Sequence, residues 1–283
     1  MTVPSPPDQP TPAELRQKTR IAFLNATALY ILAYLTADTA YRLVTVLTAR
    51  QLRIPSLWRL SRVQFLIPNA AWWRTAVVTV YGTGPLLCLM LALVAGLWFW
   101  QRQRFRRGLL KQYLLWLLLH GLNLFFGALV ADTITQSGFW YVPSWVFLAG
   151  NAVNVAVAAV FGLVLVVLGY VLAPLFLLSH DSRTLMRYEN RRRLLLATLF
   201  GPWLAGSAVL ALAKLPELTV NEQLHFATLL LALAPLALAS GNELFEFTVE
   251  EPRKTRAAWG LAVVALLLLV GLRVVLGPGV QFG

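Results

Sequence analysis

Residues 112–131 read QYLLWLLLHGLNLFFGALVA, a run with no charged side chain, bounded by Lys111 and Asp132. A helix that crosses a bilayer needs about 20 predominantly apolar residues, and this run supplies them. Inside hydrocarbon each backbone N–H and C=O must be satisfied within the segment, so the expected form is a helix.

The pattern recurs along the chain. Residues 76–100, 133–179, 194–213, 223–242 and 257–272 carry no charge, nor do residues 21–37. The run 133–179 is too long for one helix, but its first part is polar and holds Gly138 and Pro143. It reads as a loop followed by one span. The expected fold is therefore all-α, a polytopic transmembrane helix bundle of about seven spans. These lie at about 21–48, 75–100, 109–131, 150–178, 194–213, 223–241 and 257–276. Residues 12–283 form a single transmembrane domain in this reading, with no room for a sizeable soluble one.

The composition agrees. The chain of 283 residues is 58% hydrophobic and 13% charged, where soluble domains carry about 25% charged residues. Its formal net charge is +12. In a soluble protein that excess would suggest nucleic acid. Here the basic residues sit in short connections between apolar runs, so they are read as topology signals and lipid-headgroup contacts, with no nucleic-acid partner. The one cysteine, Cys88, lies inside an apolar run and gives neither a disulfide nor a zinc pair.

Residues 1–11 carry proline at 4, 6, 7 and 10 and read as a disordered, Pro-rich cytoplasmic tail. No h-region with a small-residue cleavage site follows, so the first span is expected to act as an uncleaved anchor. The next residues, TPAE, have the form of a capping box. Thr11 is the N-cap, Pro12 opens the helix and Glu14 stands at the third position.

Lys and Arg set the expected orientation. With the N-terminus inside, the inner segments hold 16 basic residues and the outer ones seven, Arg42 aside. The expected location is a bacterial inner (plasma) membrane. Residues 50–74 are the discordant piece, with Arg50, Arg53, Arg59, Arg62 and Arg74. Either they lie outside against the rule, or the first helix does not cross. Pro55 and Pro68 bracket what reads as a short helix in the headgroup plane, with Trp58, Trp72 and Trp73 as interface anchors.

Several polar residues stand out. Asp38 and Arg42, in LTADTAYRLV, are four apart and share a helical face. They mark either a site or a pair snorkelling at a span end. Asp132 closes the third span, and Glu222 and His225 open the sixth as NEQLH, on one face. In the expected topology these five fall on the outer side, where they form a candidate polar pocket. The plain alternative is ordinary helix-end polarity. His120, Asn123, Asn151 and Asn154 are candidate interhelical polar contacts. GPWLAGSA at 201–208 supplies small residues for close packing. Glu243 and Glu246 are expected at the opposite end from His225.

In outline the chain resembles intramembrane site-2-type metalloproteases, which carry His-Glu-x-x-His on one helix and an Asn…Asp segment on a later one. ADTAY at 37–41 has an acid in the Glu place, GTGPLL looks like the opening of a following helix, and NLFFGALVAD sets an Asn before an Asp. The two histidine places hold Ala37 and Tyr41, leaving Asp132 as the one ligand, where zinc catalysis uses three. The resemblance implies an inactive relative. Gly-x-Ser-x-Gly and P-loop motifs are absent.

The reading that follows is a non-enzymatic scaffold, assembly or partner-binding membrane subunit, without catalytic, cofactor or metal residues. Its partners are the bilayer, anionic headgroups at the basic inner loops, and a protein or a second copy. The alternatives are a small transporter or permease with an outward-facing polar pocket, and the inactive metalloprotease relative.

Overall fold

The computed structural model describes residues 11–148, 150–242 and 256–283. The tail at 1–10, Glu243 and Glu246 lie outside the described residues. Seven helices are long and apolar enough to cross a membrane. They are α1 (Pro12–Gln51), α2 (Arg74–Gln103), α3 (Leu110–Thr135), α4 (Asn151–Val171), α5 (Tyr188–Lys214), α6 (Val220–Asn242) and α7 (Trp259–Leu276).

The capping box forms: the Thr11 hydroxyl accepts from Glu14 N at 3.3 Å, and Thr11 N donates to the Glu14 carboxylate at 3.2 Å. From there α1 runs 40 residues without a break, about 60 Å at 1.5 Å per residue. Helix α3 is the centre of the bundle. Its most apolar stretch is 83% buried, against 22% for α4 and 11% for α7, which lie at the periphery. Helix α2 continues through Pro85. The fourth span ends sooner than its apolar run: α4 stops at Val171, and a separate short helix, Ala173–Leu178, follows.

Small residues set the closest approach of α1 and α5. A Cβ on Gly206 would overlap the ring of Tyr30, and its neighbour Ser207 shares a 2.6 Å hydrogen bond with the Tyr30 hydroxyl. The small residues of 201–208 thus let two backbones approach and leave a hydroxyl to fix the register.

Residues 56–65 correct the expected in-plane helix. Ser56–Trp58 (β1) and Val63–Phe65 (β2) form a hairpin, and β1 pairs on its other edge with Val280–Phe282 (β3), giving the order β2-β1-β3. Both flanking strands are the tripeptide Val-Gln-Phe, and each places its Phe opposite Ser56. A lone hairpin is marginal in water. Here a third strand and packing of Trp58 with Val46 and Leu276 support it. Inter-strand pairing satisfies the backbone groups of these short strands.

Contacts sort the loops into two ends. At one end Lys18 reaches Thr184 at 2.9 Å, Gly108 N reaches Asp181 at 2.8 Å, and Asn25 reaches the Arg256 carbonyl at 3.1 Å. At the other, Arg59 pairs with Glu217 at 3.6 Å and Arg74 donates to the Val146 carbonyl at 2.7 Å. Helix α1 therefore traverses the bundle, and residues 50–74 share the far end with β3.

Candidate functional site

Four charged side chains meet at the far end. Arg42 on α1 donates through Nε to Asp38 at 3.0 Å and through Nη2 to Glu222 Oε1 at 2.7 Å. Lys214, the last residue of α5, donates to the same Oε1 at 2.6 Å, to Asp38 Oδ2 at 3.3 Å and to the Tyr34 hydroxyl at 3.0 Å. Its ammonium also lies 5.0 Å from the centre of the Tyr34 ring, close enough for a cation–π contact.

Local sequence explains why Glu222 is available. It is the third residue of α6, whose N-cap is Thr219 in a second capping box. Thr219 N donates to Oε2 at 3.4 Å, leaving Oε1 for the two cations. One carboxylate thus caps a helix with one oxygen and bridges two helices with the other. Arg42, Lys214 and Glu222 are 8%, 4% and 3% exposed. Two cations face two carboxylates, so the network is formally neutral. Buried charges persist only when paired and hydrogen-bonded in this way.

The space beside the network is small. A cavity of about 20 Å3 is lined by Asp38, Arg42 and Lys214, with Trp58 and Leu276 closing it. One water needs about 10–15 Å3 on this measure, so a solute of several atoms has no room there.

Asp132 and His225 form a second group. His225 Nε2 lies 3.1 Å from Asp132 Oδ1, and Asp132 Oδ2 accepts from Phe139 N at 2.5 Å. Gly138 makes this turn feasible, since its φ is +58° and a Cβ there would overlap Asp132. The five candidate pocket residues therefore lie at one end but in two groups joined through α6. Glu222 points to α1, and His225 points to α3 one turn later. Of the five, Asp38 and Arg42 line the cavity beside the network.

The other polar candidates have separate roles. Asn123 donates to the His225 carbonyl at 2.7 Å and accepts from Thr228 at 3.1 Å, tying α3 to α6. These bonds fall where α3 widens into a π-helical turn, Asn123–Gly127. The His120 ring packs edge-on against Tyr30 and Tyr34, at 4.5 and 5.5 Å between centres. Its Nε2 has no hydrogen-bond partner among the described residues. Asn154 bonds Ser144 at 2.6 Å, across a short connection rather than between spans. Asn151 opens α4 and is exposed.

At the basic end a third group gathers. Lys111, 1% exposed, donates to the Leu178 carbonyl at 2.9 Å and to Asp181 at 2.5 Å. His180 bonds Gln112 at 2.9 Å through Nδ1 and Thr198 at 3.2 Å through Nε2. Burial, together with the nearby Lys111 and Arg191 cations, pushes the His180 pKa down to about 3. A cavity of about 360 Å3 lies alongside, with Arg107, Asp181 and Arg256 in its walls.

Lys214 and Tyr34 were not legible as site residues. Lys214 ends a span beside Leu215-Pro216 and has the form of a topology marker. Tyr34 reads as one more aromatic in an apolar run. The available signal was the Asp38–Arg42 pair, whose remaining hydrogen-bonding groups need partners once buried.

No protein-family model, curated protein or solved structure matches this chain. Among the described residues no three His, Cys, Asp or Glu side chains converge as metal ligands. Asp132, the one ligand left in the metalloprotease outline, is engaged by His225 and Phe139 N.

Proposed function

We propose that the seven helices are membrane spans, with the Thr11 end in the cytoplasm, and that the protein is a non-enzymatic scaffold, assembly or partner-binding subunit of a bacterial inner membrane. The observation that carries this reading is the closed charge network. Asp38, Arg42, Lys214 and Glu222 satisfy one another and hold three helices together, beside a cavity of about 20 Å3. A transport site needs groups that can exchange partners for a substrate. These four are spent on each other.

The basic end supports the same reading. Arg102, Arg106, Arg192 and Arg193 are exposed in the connections at this end, as suits a cytoplasmic surface that meets anionic headgroups or an acidic partner. The test replaces all four network residues together with neutral isosteres: Asp38→Asn, Arg42→Gln, Lys214→Gln and Glu222→Gln. A scaffold keeps its membrane level and complements a deletion strain. A transporter whose pocket includes these charges stays folded and loses complementation, and that result would overturn the proposal.

A further inference from the structure

A second cavity at the far end has walls of a different chemistry. It measures about 180 Å3 and is lined by Asn69, Trp72, Val77, Tyr81, Tyr141 and Trp145. Four of the six are aromatic and none is charged. The rings are set at angles to one another. Trp72 and Tyr81 lie 5.5 Å apart between centres, tilted by 40°, and Tyr81 and Tyr141 lie 5.1 Å apart, tilted by 50°. Tyr141 and Trp145 are four residues apart on the short helix Tyr141–Phe147 and so share a face.

The cage is braced from outside. Phe65, on β2, stands edge-on to both Trp72 and Tyr81, at 5.2 and 5.5 Å. The hairpin thus fixes two walls, and the 141–147 helix supplies the others. All four cage rings are half-buried, so each keeps part of its surface toward the cavity.

Aromatic faces carry negative electrostatic potential and attract a cation held over them, with quaternary ammonium as the best-suited guest because it needs no hydrogen-bond acceptor. A primary ammonium brings three N–H donors, for which this lining offers the Asn69 amide and the Tyr81 and Tyr141 hydroxyls beside its ring faces. Beside the cage stands Arg74, exposed, with one nitrogen on the Val146 carbonyl next to Trp145. An exposed guanidinium suits a phosphate. An aromatic cage that favours a quaternary ammonium, with an arginine nearby in the chain fold, combines the two chemistries that a zwitterion of these two groups needs.

We infer that the cavity formed by Trp72, Tyr81, Tyr141 and Trp145 binds the phosphocholine group, with the trimethylammonium in the aromatic cage and the phosphate on Arg74. The inference concerns ligand binding and does not require the scaffold reading, because soluble headgroups test it in detergent. The chemistry is the same for a free phosphocholine and for the headgroup of a phosphatidylcholine bilayer.

The test uses the full chain purified in a maltoside detergent, with calorimetry against soluble probes. Phosphocholine is expected to bind, and tetramethylammonium and phosphoethanolamine to bind more weakly than phosphocholine. Trp145→Leu is expected to weaken phosphocholine on the order of tenfold, with Trp145→Phe recovering most of it. Arg74→Gln should reduce phosphocholine to the affinity of tetramethylammonium. Equal binding of phosphoethanolamine, or a Trp145→Leu variant of unchanged affinity and unchanged melting, overturns the site. A fold defect in one of the two variants is checked by the other. Nanodiscs of phosphatidylcholine against phosphatidylethanolamine then separate the sources. Stabilisation by the first alone assigns the site to lipid, and soluble binding without it assigns a free ligand.

Discussion

Arg42 and Lys214, which arrive on different helices, donate to one and the same oxygen, Oε1 of Glu222, at 2.7 and 2.6 Å. Two cations on one acceptor repel each other unless further negative charge stands close, and Asp38 supplies it, bonding both. The four residues therefore act as a unit. Lys214→Met alone leaves a carboxylate excess in a dry setting and is expected to cost about 3–5 kcal/mol. Lys214→Met with Glu222→Met restores neutrality and should cost less than the two single changes summed. Thermal or denaturant unfolding in detergent measures the cycle, and strict additivity would show that the pair is not coupled.

A pH dependence follows from His180. Its folded pKa is depressed to about 3 by burial and by Lys111 and Arg191, while an unfolded histidine titrates at about 6.5. Below about pH 6.5 the unfolded chain binds a proton that the folded chain refuses. The neutral ring's contribution is thus present above pH 6.5 and is lost as pH falls toward 3, by about tenfold in the folding equilibrium per pH unit. The melting temperature of wild type should drop over that window. A His180→Gln variant should show a flatter profile, and parallel profiles would count against the assignment.

The α1–α5 contact predicts a steric effect. In Gly206→Ala the new methyl overlaps the Tyr30 ring, and overpacking of this kind costs about 1–3 kcal/mol. Tyr30→Phe removes only the hydroxyl bond to Ser207 and should cost about 1 kcal/mol. Unfolding of the two variants side by side checks the order.

Topology is testable with single cysteines on a Cys88→Ser background. Gln64 on β2 and Gln281 on β3 are exposed and flank the same strand. Gln64→Cys and Gln281→Cys are expected to label together from outside intact cells with an impermeant thiol reagent. Arg106→Cys, at the opposite end, should label only after permeabilisation. Labelling of Gln64→Cys and Gln281→Cys from opposite sides would contradict the shared sheet.

Much of the architecture was legible because bilayer-length apolar runs have few other uses. The seven long helices follow the charge-free runs, and the start of α1 at Pro12 was written in Thr11 and Glu14. The hairpin was not. Its strands are three residues each, too short for a period to show. Its entry is made by Arg53 at φ +57°, where no glycine or asparagine flags the turn. Its stabilising partner, Val280–Phe282, is distant in sequence. In the candidate site the Asp38–Arg42 pair was visible from its spacing of four. Whether Glu222 would join it, or Asp132, depended on how α6 is rotated against α1 and α3. That rotation is a packing outcome, set partly by the Asn123 bonds to α6, and no local pattern encodes it.

The order of the sheet bears on how the chain is made. Strand β1 leaves the ribosome well before β3, and at 5–20 residues per second the delay is on the order of ten seconds or more. Through that interval one edge of β1 has no partner. An unpaired edge is a template for any extended segment, and each nascent chain already carries one copy of the fitting tripeptide, Val63–Phe65. Chains growing side by side on one message therefore compete for each other's edges until α7 delivers the strand that belongs there.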